Sequence, residues 1–176
     1  MPKIKTYRLL NFKFLFEILL IILLILFFPL MIYGNFKCLS GFWNNNYKAG
    51  FFGVFFLIIN SYLFYYFSLV IYQFIKYVFY EKNTKITIDY DNRNVTIIKN
   101  TYSYIINSTN LKSVEFHLST KHYKNLLRNF GYTKLLCKDG NEFIITNFVL
   151  DFEIIENMFN DVKKIKRLSE IIYLPS

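Results

Sequence analysis

Histidine, cysteine and carboxylate side chains are the groups from which a catalytic or metal centre would be assembled, and in this chain they are few and scattered. His117 and His122 are the two histidines. His117 alternates with Phe116 and Leu118 and so falls on the polar side of a strand-like segment, while His122 lies in a basic stretch. Neither has a cysteine or carboxylate at the spacing of a zinc site. Serine, threonine and aspartate are plentiful, but without a placed histidine base no nucleophile stands out. Gly131 and Gly140 are isolated turn residues, so no glycine-rich loop cradles a phosphate. The expectation is no catalytic residue, no metal and no cofactor.

The chemistry that remains is binding. Between 119 and 138 the cations Lys121, Lys124, Arg128, Lys134 and Lys138 occur with no acid, interleaved with Tyr123, Phe130 and Tyr132. Cations among aromatics can dock on anionic lipid, each charge near the surface contributing about 1 kcal/mol. The plain alternative is a solvated loop and strand face. A net charge of +9 would suggest nucleic acid if it were evenly spread. It is not: residues 1–80 hold seven Lys and Arg against the single acid Glu17, whereas 81–176 hold fourteen against eleven. The excess sits where basic residues set membrane topology, and no nucleic acid partner is expected.

Two apolar runs, 14–33 and 50–75, explain that placement. Each reaches the roughly 20 residues a helix needs to cross a bilayer. The first is too long for the apolar part of a signal peptide and lacks a small-residue cleavage site, so it reads as a retained anchor. Two helices apolar on every face could not be buried by a domain this small. The basic groups Lys3, Lys5, Arg8 and Lys13 before the first run, with Lys76, Lys82 and Lys85 after the second, outnumber Lys37 and Lys48 between them. The positive-inside rule then puts both termini in the cytoplasm and the loop 35–49 outside. Asn60, Ser61 and Ser68 are the polar breaks in the second run and are expected to pack against the other helix. Glu17 is expected at the membrane edge, and Pro29 near the end of the first helix. Apolar residues continue to Tyr80, so the second helix should tilt or emerge from the bilayer as a stalk.

After residue 81 the period changes to two. Ile86, Ile88 and Tyr90 alternate with polar residues, 91–94 is a turn, and Val95 and Ile97 continue on a returning strand. Further strands are expected at 102–106, 111–118, 132–138 and 142–146, the last two joined through Asp139-Gly140, the strongest hairpin signal in the chain. The stretch 119–131 has no firm pattern. Phe152, Ile155, Phe159, Val162 and Ile165 recur at three- and four-residue steps, with acids at the front and Lys163 to Arg167 at the back, which predicts a C-terminal amphipathic helix. The fold expected is a membrane α-hairpin over 1–80 followed by an α+β domain over 81–176, a bent antiparallel sheet or open barrel plugged by that helix.

This order resembles the bacterial pleckstrin-homology-like domains of small membrane proteins, in which a transmembrane hairpin precedes the barrel. The resemblance is carried by 85–89 with its return strand, 106–115, the 138–141 hairpin, and Thr146-Asn147-Phe148 leading into the last helix. It implies a non-enzymatic, membrane-anchored binding or scaffold protein of the bacterial inner membrane that recruits a protein partner or contacts anionic lipid. A seventh strand is missing unless 119–131 supplies it. The alternative is an accessory subunit of a transport or envelope-stress complex acting through its helices.

Overall fold

The computed structural model describes residues 3–10, 12–44, 46–119, 130–169 and 172–175. It divides into two compact units, one of Met1–Phe14 with Gln73–Ser176 and one of Leu15–Tyr72. The division is not a cut at residue 80, because both ends of the helical segment belong to the folded domain.

The helical unit contains most of α1 (Phe12–Leu39) and α2 (Tyr47–Glu81), both long and apolar enough to cross a membrane. Large apolar side chains such as Leu26, Leu30, Phe55 and Ile58 are exposed, and only 11% and 6% of the most apolar window of each helix is buried. These are not core helices of the fold. Pro29 lies inside α1, which continues to Leu39 rather than ending there. The turn is tight: Asn46 caps α2 by accepting the Ala49 amide at 3.2 Å. A Cβ on Gly53 would stand 2.8 Å from the Leu39 nitrogen, so glycine permits the close approach of the two helices. Glu17, expected at a membrane edge, is buried within the protein at 3% exposure.

The domain is two four-stranded sheets. The first, ordered β1-β2-β3-β4, comprises β1 (Ile4–Arg8), β2 (Thr84–Asp89), β3 (Asn94–Lys99) and β4 (Tyr102–Ile106), all antiparallel. The second, ordered β7-β6-β5-β8, comprises β5 (Leu111–Ser119), β6 (Tyr132–Cys137), β7 (Glu142–Thr146) and β8 (Lys163–Ser169). β8 runs parallel to β5. Alternation does what it should: Ile86, Ile88, Val95 and Ile97 face Val114, Phe116, Leu118 and Leu135 in one core cluster. The short helix α3 (Phe152–Met158) joins that core through Ile155 and Met158. Gly140 in the β6–β7 turn has φ +89°, a left-handed conformation that glycine adopts without a Cβ clash.

Two expectations are corrected. The amphipathic helix through Ile165 does not exist; α3 ends at Met158 and 163–169 is β8. The helix would have left the outer edge of β5 without backbone partners, whereas β8 pairs with it from Ser113↔Lys163 to Ser119↔Ser169. The second correction is at the N-terminus. Ile4 to Arg8, read as a basic membrane flank, form β1 and pair with β2 from Ile4↔Asp89 to Arg8↔Lys85.

The ends of the helices are held to the domain by aromatic rings. Phe148 contacts Phe14, Phe74, Tyr77 and Phe130 with centroid separations of 5.4 to 6.5 Å. Tyr77 and Phe148 are almost completely buried. Edge-to-face geometry dominates these contacts, the arrangement that aligns the positive ring edge with the negative face.

Candidate functional site

Of the five cations nominated from the sequence, Lys121, Lys124 and Arg128 lie outside the described residues, as does His122. Lys134 and Lys138 are described. Lys134 pairs with Glu142 at 2.7 Å, and Lys138 donates to the Thr109 carbonyl at 2.7 Å. Both stabilise the second sheet and its turns.

The cationic concavity that the described residues do form lies at the other end of the chain. Arg8 closes β1 and Lys85 lies near the start of β2, and the register places them directly opposite one another. The Thr6 and Thr87 hydroxyls next to them are 3.4 Å apart, on the same face. Opposed side chains in an antiparallel pair have Cβ atoms about 5 Å apart, a distance at which like charges repel. They border a cavity of about 650 Å³ lined by Lys5, Thr6, Tyr7, Arg8, Leu10 and Lys85, with no carboxylate among them. Lys5 also lies over the Tyr7 ring, 5.1 Å from its centroid. The acids of this sheet are at its opposite end, where Asp91 accepts the Lys3 amide and Asp89 accepts the Asp91 and Asn92 amides. Hydrogen bonds from the Asn92 side chain and backbone hold the Asp89 carboxyl below its usual range.

The sequence reading missed this place because 3–8 is short and its burial pattern is almost uniformly exposed. A period-two signal needs a buried face, and an edge strand this exposed scarcely has one. Only the alternation Lys5-Thr6-Tyr7-Arg8 hinted at it.

On the second sheet, His117 stacks on Tyr132 at 4.3 Å between centroids and lies 3.4 Å from the Glu115 carboxylate. Arg167 of β8 donates to the same carboxylate oxygen at 3.1 Å. Burial lowers the His117 pKa and outweighs the opposing pull of Glu115, with Arg167 and Lys134 also lowering it. For Glu115, burial pushes the pKa up, but the hydrogen bonds and charges of Arg167 and His117 prevail and hold it low. The constellation contains a base and its partner but no nucleophile. It reads as the tie between β5 and β8, and among the described residues no three His, Cys, Asp or Glu side chains gather as a metal site.

A second concavity, about 310 Å³, lies where the edges of the two sheets approach each other, lined by residues of β3, β4 and β7 together with Tyr80. Side chains rather than backbone bonds cross this seam. The Tyr104 hydroxyl donates to Asp139, and its ring lies 4.7 Å from that of Phe143. The Asp139 bond raises the Tyr104 pKa, pushed up to about 12. Lys99 sits over the Tyr80 ring at 3.5 Å. The last residue of α2, Glu81, is fully buried and accepts the Thr146 amide at 2.8 Å, which satisfies a donor on edge strand β7.

In the helical unit, Asn60 donates to Asn35 at 2.9 Å, a bond between α1 and α2. Ser61 and Ser68 are exposed. Cys38 is partly buried and Cys137 lies in the domain core; both are free thiols.

In comparisons with known proteins, the family model described as the PH domain matches residues 3–158. No curated protein matches the chain.

Proposed function

Since the chain belongs to the PH domain family, typically non-catalytic, we propose that it is a binding or scaffold module anchored in a membrane by α1 and α2. The observation that carries this reading is the place of the helices in the sheet. β1 precedes them, β2 follows them, and the two strands are hydrogen-bonded neighbours. Paired strands lie on one side of a bilayer, so the segment between them crosses it an even number of times. Two helices with exposed apolar surfaces fit two crossings. Cleavage after the first run would remove β1, which argues for a retained anchor. The charge bias supports termini on the cytoplasmic side of an inner membrane, with the connection between α1 and α2 on the other.

The domain's role in this reading is recognition of a protein partner or of anionic lipid headgroups. The cavity bordered by Lys5, Arg8 and Lys85 supports the lipid contact, because Leu10 is four residues from the apolar run that begins at Phe14. Lys121, Lys124, Arg128, Lys134 and Lys138 belong to the same proposal. The alternative, an accessory subunit acting through its helices, is favoured by the exposed polar groups on α2.

Single cysteines in a C38A/C137A background test the arrangement in sealed membrane vesicles with an impermeant maleimide. K3C and N92C are expected to label from the same face and N44C from the opposite face. Labelling of K3C and N92C from opposite faces would overturn the reading.

A further inference from the structure

We propose that the chain self-associates within the membrane through a polar notch centred on Asn35, Asn60 and Ser61, the occupant being the same notch of a second copy. The inference rests on the membrane reading of α1 and α2. Phe28, Met31, Ile32 and Phe64 complete the lining of this cavity of about 260 Å³.

The Asn60-to-Asn35 bond uses one amide N–H of Asn60 and one lone pair of Asn35. Each side chain keeps further capacity: the Asn35 amide nitrogen still has its N–H groups, and the Asn60 carbonyl still has its lone pairs. Ser61 adds a hydroxyl. Among the described residues no other side-chain hydrogen bond to any of the three is present. Asn60 lies about 20 Å along α2 from Tyr47 at 1.5 Å per residue. That is bilayer depth, where no water satisfies a polar group.

The unused groups are self-complementary. Across a two-fold axis the Asn35 amide of each copy donates to the Asn60 carbonyl of the other, so both leftovers are satisfied by the same pair of contacts. Exchanging the oxygen and nitrogen of both amides leaves that complementarity intact, since one donor and one acceptor remain either way. A lipid chain offers neither. Ile32 and Phe64, exposed around the polar centre, and the half-buried Phe28 supply apolar contact at the rim.

The test uses the full chain in bilayers of phosphatidylethanolamine and phosphatidylglycerol, with donor- and acceptor-labelled copies followed by energy transfer as lipid is added. Wild type is expected to show transfer above the random level that falls reversibly on dilution. S61F fills the notch while leaving the Asn35–Asn60 bond, and N35L/N60L removes the polar groups; each should need at least tenfold more protein per lipid for the same transfer. S68A should behave as wild type. Transfer at the random level for wild type, unchanged association of S61F, or stable capture of a different membrane protein at the notch in place of a second copy would overturn the proposal. Alkaline carbonate separates the two ideas. A chain released to the supernatant sinks the membrane reading, whereas a chain retained but monomeric sinks self-association alone.

Discussion

Residue by residue, the second sheet shows how a pair that looks chemical is mainly structural. His117 sits between the Tyr132 ring and the Glu115 carboxylate, and Arg167 completes the tie from β8. Its pKa is lowered in the fold, so the unfolded chain takes up a proton first as pH falls. Stability is therefore lost as pH drops through the ordinary histidine range near about 6.5. Glu115 acts in the same direction at lower pH, because its lowered pKa keeps it ionised until the unfolded chain has already protonated. The protection of the β5 amides in the full chain, taken as hydrogen exchange corrected for its intrinsic pH dependence, should thus fall between about pH 7 and 5.5 in wild type, across the reference histidine value. H117N should flatten that step while leaving the loss in the carboxylate range. An unchanged profile in H117N would show that other groups govern it.

Elements explain why the domain cannot be cut at residue 81. β1 contributes an edge of the first sheet, and the last turns of α2 contribute Tyr77 and the Glu81 carboxylate that caps β7. A fragment of 81–176 is expected to lack cooperative unfolding, measured by denaturant titration against the full chain in the same detergent. Cooperative unfolding of the fragment with full-chain stability would refute this. Phe148, at the centre of the ring cluster, is the single side chain most exposed to this argument. F148A should cost about 3–5 kcal/mol, the usual range for deleting a buried aromatic. The same scale accounts for the misread C-terminus. Phe152 to Ile165 keeps a helical apolar spacing, yet Asp151 makes no side-chain cap and the C-cap residue Phe159 has left helical geometry at φ −110° and ψ 53°. A seven-residue ladder on β5 then decides the rest.

For the whole molecule, the consequence is topological: the helical segment is inserted between two strands that pair. Both ends of the helical segment feed adjacent strands, so the first sheet is complete only when residues 4–8 have met 85–89. A cysteine pair T6C/T87C, at directly opposed positions, should therefore oxidise to an intramolecular bridge in the C38A/C137A chain in membranes. T6C/T96C, one strand further across, should not. Equal bridging in both would argue against the register, and no bridging in the first would argue against β1.

The sequence by itself determined the elements whose signal is local. Helices apolar all round, strands with one buried face, and the Asp139-Gly140 turn each follow from near neighbours in the chain, and β2 to β7 lie within a residue or so of their expected places. It also carried enough of the strand order to suggest the fold. Tertiary structure alone decided the two outer strands, the capture of the helix ends by Phe148, and the pairing of Arg8 with Lys85. Those features are legible only in three dimensions because edge strands bury little and so carry little periodicity. What fixes them is the need of β2 and β5 for backbone partners that lie roughly 80 and 50 residues away in the chain.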